Sequence, residues 1–291
     1  MNYRHIYHAG NFADVVKHLT ITSILTYLQR KSGPVSVLDT HAGLGLYDLT
    51  SEEASKTTEW QEGFNTFHKT FLANEFHPSI MAMIKPYMDL VTDCNDNQPI
   101  HTKYPGSPEI ARKLLRKDDR LTCIELHPDD ARNLGYNMQF DSRVRVRELD
   151  AWIAMKAELP PKIKRGLVLI DPPFERTSEF TDMLEGLKAG IKRWATGTYC
   201  LWYPIKHLDD TNQVARRLEA LGIPKILRAE LYVRSPSSST SLNGTGMFIV
   251  NPTWPLENEL RKLLPVLSKL FANGTGSGSR VDWITRENPT I

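Results

Sequence analysis

The chain has 291 residues, 41% of them hydrophobic, and a formal net charge of +2. That length suits one large α/β domain with an insertion or two small domains, and the near-balanced charge leaves any nucleic-acid contact to local clusters. No stretch is apolar over the length of a membrane span, the amino terminus lacks the apolar core of a secretory leader, and the scattered Cys94, Cys123 and Cys200 read as reduced thiols of a cytoplasmic protein.

Short apolar runs alternate with helical segments, the pattern of a parallel α/β sheet. The first strand is expected over 35–39, followed by a turn that holds Gly43 and Gly45. Residues 121–126 form the second, ending at Glu125, and 144–149 the third, ending before Asp150. In a nucleotide-binding α/β unit the ribose-binding acid lies roughly 20 residues past the glycine turn, whereas about 80 residues separate Gly45 from Glu125. The excess, 50–105, carries Trp60, Phe64, Phe67, Phe71, Phe76 and Met81 at helix-compatible spacing. It reads as an inserted helical subdomain with a small core of its own, leaving 1–49 and 106–291 as the main domain.

The fourth strand, 167–170, is continuously apolar, as expected of a central parallel strand covered on both faces. It must stop at Asp171-Pro172-Pro173-Phe174, because proline cannot donate to a ladder. An acid, two residues of fixed φ and an aromatic ring then stand at a strand's carboxyl edge, where open α/β sheets bind ligands. A plain turn uses the same residue types. As a site, the Asp171 carboxylate and the Pro172 carbonyl offer two acceptors for an exocyclic amine, and Phe174 a face for a planar base. The fifth strand, 198–203, is expected to close at Pro204. Strands 226–233 and 247–250 follow with no room for a helix between them, only the polar stretch 234–240, which reads as an antiparallel pair added to a parallel sheet. That ending resembles a class I methyltransferase (Rossmann-like) sheet. A last strand-like segment, 280–285, follows a glycine- and serine-rich turn.

The turn after the first strand leaves two cofactor readings. A pyrophosphate site wants a third glycine where Asp48 stands, and that charge would repel phosphate. S-adenosylmethionine needs no phosphate cradle; Glu125 would take the ribose and Asp150 the adenine amine. Strand-end acids also serve as helix caps, but Glu125, Asp150 and Asp171 each follow an apolar strand in the order a methyltransferase requires. His8, His18 and His41 fit no metal spacing, so no metal is expected.

Tyr3-Arg4-His5, His8-Ala9-Gly10-Asn11-x-Ala13-Asp14, Lys17-His18, Leu38-Asp39-Thr40-His41-Ala42-Gly43-x-Gly45, Tyr104-Pro105-Gly106-Ser107-Pro108, the Asp171 motif and Leu201-Trp202-Tyr203-Pro204 together resemble the RlmJ family of bacterial 23S ribosomal RNA adenine-N6 methyltransferases. The resemblance spans essentially the whole chain. It implies a monomer that uses S-adenosylmethionine, with cofactor contacts from Lys17, His18, His41, Gly43, Ser107, Glu125, Asp150, Ala151 and Asp171. Asp171, Pro172 and Phe174 would be catalytic, and Tyr3, Arg4 and Phe174 would contact substrate. Two positions depart from the family pattern: Ala151 replaces a frequent glycine and Phe174 a frequent tyrosine. The implied partner is 23S ribosomal RNA, protein-free or at an early assembly stage.

Four basic groups could grip phosphates: Arg4, the 112–117 cluster, Arg143/Arg145/Arg147 and Lys162/Lys164/Arg165. Each is more often a solvated face, and the alternation at 143–147 suggests one exposed strand face. A DNA adenine-N6 methyltransferase shares the chemistry but usually carries a recognition domain for which little sequence is left. An NAD-dependent dehydrogenase meets the Asp48 objection. A catalytically silent RNA-binding module does not need Asp171 in register with a cofactor turn.

Overall fold

The computed structural model describes residues 4–96, 98, 102–236 and 241–287. Tyr3 and residues 237–240 lie outside the described residues. The strands are β1 (Ser36–Asp39), β2 (Leu46–Asp48), β3 (Lys103–Pro105), β4 (Arg120–Glu125), β5 (Val144–Glu148), β6 (Gly166–Ile170), β7 (Thr198–Ile205), β8 (Ile226–Tyr232), β9 (Gly244–Val250) and β10 (Gly278–Thr285). The helices are α1 (Phe12–Leu28), α2 (Glu52–Thr57), α3 (Thr66–Leu72), α4 (Pro78–Cys94), α5 (Ser107–Leu114), α6 (Pro128–Met138), α7 (Ala151–Glu158), α8 (Glu179–Arg193), α9 (Leu208–Ala220) and α10 (Leu256–Leu270).

Eight strands form one sheet in the order β10-β8-β9-β7-β6-β1-β4-β5. From β5 to β7 all neighbours are parallel, and β9 then enters antiparallel between β7 and β8. The expected α/β class, the class I methyltransferase sheet and its antiparallel ending are all present. β10 extends the sheet by pairing antiparallel with β8. Gly166 allows β6 to lie against β1: a Cβ there would come within 1.7 Å of the Ser36 carbonyl oxygen.

β7 runs through Pro204 to Ile205, contrary to its expected closure at Pro204. Its ladder to β6 ends at Leu201, so Pro204 pairs only with β9, on an edge where a missing N–H leaves little unsatisfied.

Residues 50–105 hold α2, α3 and α4, and the ribbon of β2 with β3 closes this segment at its base, pairing Asp48 with Lys103. Its aromatics do not form a separate core. Phe64, Phe67, Phe76 and Tyr87 are buried in the same cluster as α1 and the sheet residues Val37, Leu121 and Leu167. The cause is α1, which packs on α4, α5 and α10 as well as on β6 and β9. Because it is enclosed on several sides, α1 is apolar around most of its circumference, and its buried polar residues Asp14, Lys17 and His18 share one face at i, i+3 and i+4.

Candidate active site

The carboxyl ends of β1, β4 and β6 and the amino ends of α5 and α7 surround a cavity of about 360 Å³. It is lined by Lys17, His18, His41, Gly43, Ser107, Glu125, Asp150, Ala151, Asp171 and Pro172, so residues spread over more than half the chain converge on one space. The turn after β1 reaches it through positive φ at Gly43 (59°) and Gly45 (77°). A Cβ on Gly43 would also stand 2.3 Å from the Tyr47 hydroxyl, which is why glycine is required there.

Each acid is held by its strand end. Glu125 accepts backbone N–H bonds from Gly43 and His127, both at 2.8 Å, which aims the carboxylate at the turn. Burial raises its pKa. Asp150 caps α7 through Oδ1, accepting from the N–H groups of Trp152 and Ile153 at 2.9 and 3.0 Å. Its Oδ2 has no partner among the described residues, leaving one carboxylate oxygen for a ligand. Behind the cavity wall, Ser107 Oγ donates to Asp39 at 2.6 Å; burial pushes the Asp39 carboxyl up to about 7. Burial also lowers His18 to about 3 and His41 to about 4, so both rings are neutral near pH 7. His18 Nδ1 bonds the Tyr104 hydroxyl at 2.9 Å, and Tyr87 donates to that oxygen at 3.1 Å.

At Asp171 the structure supplies a partner that local sequence could not. Lys17 Nζ, almost fully buried, lies 2.6 Å from Asp171 Oδ2 and 2.8 Å from Asp14 Oδ1. Asp14 in turn bonds His5 Nε2 at 2.8 Å and accepts from the Gly10 N–H at 2.9 Å. Burial opposes the Lys17 charge, but the two carboxylates outweigh it and hold the ammonium charged; Asp14, against its own burial, is held well below the usual carboxylate range by His5 and Lys17. Asp171 Oδ1 and the Pro172 carbonyl accept no hydrogen bond among the described residues, so two acceptors remain open. His5 and Asp14 were not singled out from sequence. Asp14 carried one local signal, the i, i+3, i+4 polar face it shares with Lys17 and His18 on α1; His5 precedes that helix, and what the face meets is decided by tertiary packing.

Other residues singled out from the sequence stand elsewhere. Phe174 lines a second cavity, not the first; Pro173 borders both. The φ of 53° at Phe174 is rare for a bulky residue, strain concentrated at the end of this motif. Arg4 borders neither cavity and pairs with Asp130 at 3.0 Å. Asp48 is exposed on β2 and closes its own turn to Thr50, so its charge does not face the cavity, contrary to the expectation that it would repel phosphate there; the acids that line the cavity are Glu125, Asp130, Asp150, Asp171, Glu175 and Glu179. Of the basic groups, Arg143 pairs with Asp141, Arg145 and Arg147 with Glu158, and Arg116 with Asp119. Arg116 and Arg165 bind the carbonyl oxygen of Gly33 before β1, so they fasten the amino-terminal edge of the sheet, opposite the site. Among the described residues no group of three or more His, Cys, Asp or Glu side chains is placed to hold a metal, and no helix is long and apolar enough to cross a membrane.

A family model described as ribosomal RNA large subunit methyltransferase D, RlmJ, matches residues 32–285. The chain is 42% identical over 288 residues to ribosomal RNA large subunit methyltransferase J of Escherichia coli (strain K12), covering 99% of this chain and 100% of that protein. It is 41% identical over 289 residues to the protein of the same name from Haemophilus influenzae, with the same coverage of 99% and 100%. A crystal structure of a Legionella pneumophila protein superposes with a TM-score of 0.84 at 35% identity, over 94% of this chain and 98% of that one.

Proposed function

The chain belongs to the RlmJ family of ribosomal RNA large subunit methyltransferases, and from that premise we propose that it methylates the exocyclic N6 of an adenine in 23S ribosomal RNA, with S-adenosylmethionine as donor. The observation that carries this reading is the pair of open acceptors, Asp171 Oδ1 and the Pro172 carbonyl, at the border between an acidic cavity and an aromatic one. The acidic cavity fits a cationic sulfonium nucleoside: Oδ2 of Asp150 is open to an adenine amine, Glu125 has acceptor capacity left for ribose hydroxyls, and neutral His18 and His41 add no repulsion. The cofactor supplies an electrophilic methyl group.

The protein's part is to place the acceptor nitrogen. Adenine N6 is a poor nucleophile because its lone pair is delocalised into the ring. Donating its two N–H bonds to Asp171 and Pro172 favours a more tetrahedral nitrogen whose lone pair points at the methyl group, and alignment supplies much of the rate. Lys17 holds the Asp171 carboxylate in position through Oδ2 and leaves Oδ1 for the base. Phe174 covers the base face from the neighbouring cavity. The adenine must be unpaired or flipped, which costs a few kcal/mol of unstacking.

The segment 50–105 is assigned the role of an insertion within a domain formed by 1–49 and 106–291. Glu59, Glu62 and Gly63 from it wall the second cavity, which supports a part in holding the substrate. Tyr3 and Arg4 remain candidate substrate contacts, and the protein is assigned to the cytoplasm as a monomer.

The test is transfer of labelled methyl from S-adenosylmethionine to protein-free unmodified 23S RNA, to assembled large subunits and to duplex DNA. We expect N6-methyladenine on free RNA and a loss of roughly 100-fold or more in kcat for Asp171→Ala. Label on DNA alone overturns the substrate, and near-normal turnover by Asp171→Ala overturns the role of the motif.

A further inference from the structure

The carboxyl edge of the sheet does not end at the cofactor cavity. Because β9 enters antiparallel, the end of β7, the end of β8 and the start of β9 meet at one point, where Ile205 and Tyr232 both pair with Gly244. A second cavity of about 480 Å³ opens there, and Pro173 lines both it and the first. One wall is aromatic, with Phe174 and Trp202 in edge contact at 5.8 Å between ring centres. Lys206, just past β7, and Arg234, just past β8, line the same space. Lys206 is exposed, and among the described residues neither cation has a carboxylate partner and the buried Nε of Arg234 has no hydrogen-bond partner. This contrasts with the other arginine groups singled out from the sequence, which are neutralised by acids or tied to carbonyls at the opposite edge of the sheet. The carboxylates that line the cavity are Glu59, which is engaged by His8 and Asn11, and the exposed Glu62.

We propose that this cavity is the strand-entry site for single-stranded RNA, in which Lys206 and Arg234 hold the phosphates flanking the flipped adenosine while its base turns past Pro173 to Asp171. Two open cations beside two aromatic rings are the combination that binds unpaired nucleic acid: charge follows the backbone and rings accept bases. The inference rests on the RNA methylation reading above. It adds which residues of this chain bind the strand and from which side it arrives.

The experiment measures affinity for protein-free unmodified 23S RNA by filter binding across a salt series, and methyl-transfer kinetics on the same RNA. The proteins are the wild type, Lys206→Ala, Arg234→Ala, the double variant, Arg234→Lys and a charge-matched control, Lys162→Ala with Lys164→Ala, at the far edge. Removing one cation that neutralises a phosphate reduces the log–log salt slope by about 0.7 for a single strand. The expected result is a fall of that size for each single variant and about twice that for the double, with KM for RNA rising while kcat at saturating RNA stays within about twofold. Arg234→Lys restores most of the slope, the control keeps it, and calorimetric affinity for S-adenosylmethionine is unchanged throughout. An unaltered slope in the double variant, or an equal fall in the control, overturns the proposal. If the wild type binds RNA with the cation-dependent slope but transfers no methyl, the binding site stands and the methylation reading fails.

Discussion

Burial at single residues sets much of the behaviour of this site. Lys17 lies between Asp14 and Asp171, and a buried charge is tolerated only with partners of this kind. Asp39 is the opposite case, a carboxyl whose burial outweighs its bond from Ser107 and raises it from 3.8 to about 7. A carboxyl raised in the folded state contributes stability below its unfolded value, and that contribution is lost as pH rises from about 4 to about 7. His18 and His41, lowered from 6.5 to about 3 and 4, act in the other sense: their contribution is present above 6.5 and lost on acidification. Comparing wild type with Asp39→Asn cancels the histidine effect. Urea unfolding between pH 5 and 7.5 should show the wild type losing on the order of a few kcal/mol relative to the variant. A constant difference across that range refutes the buried-acid assignment.

Among the elements, β10 is a strand held to its neighbour by ion pairs as well as by its backbone ladder. It pairs only with β8, and Glu230 on β8, fully buried, accepts from Arg280 on β10 and from the Tyr203 and Tyr232 hydroxyls. Arg228 and Asp282 add a second link across the same pair, with Arg228 Nε 2.8 Å from the carboxylate. Arg280→Met should destabilise the protein by about 3 kcal/mol, because it leaves Glu230 buried with hydroxyl donors alone. The denaturant midpoint should fall with little change in methyl-donor affinity, since β10 is remote from the cavity. The local reading of 280–285 as a strand was correct in kind, but its partner and its ion pairs depend on chain segments about 50 residues earlier, with Arg280 and Glu230 separated by 50 positions.

At the scale of the whole molecule, the sheet edge is divided between two cavities. One is acidic and closed by glycine turns; the other is aromatic and bears two cations without carboxylate partners among the described residues. A ligand that occupies the first without affinity for the unfolded chain stabilises the fold by mass action, about 2.7 kcal/mol at 100 times Kd. S-adenosylmethionine at that excess should raise Tm by roughly 5 °C or more in a chain of this size. NAD at the same concentration should leave Tm unchanged. The reverse pattern excludes the donor assigned here.

The sequence by itself determined the strands of the parallel core and where β6 stops, but not the β2–β3 ribbon or the end of β7, which runs through Pro204 to Ile205. Apolar runs mark a covered parallel sheet, and Pro172 and Pro173 end β6 wherever the rest of the chain goes. Glycine at 43 and acids at the ends of β4 and β6 were legible for the same reason: backbone geometry and ladder chemistry are local. Only the tertiary structure decided which charge meets which. Lys17 and Asp171 are 154 positions apart, the arginine clusters are spent on nearby acids or on carbonyls at the opposite edge, Asp48 is exposed, and Phe174 lines a different cavity from Asp171. Partners at such separations are chosen by how α1 and the sheet pack together, because electrostatic pairing acts over a few ångströms and the spacing of residues along the chain carries no record of it.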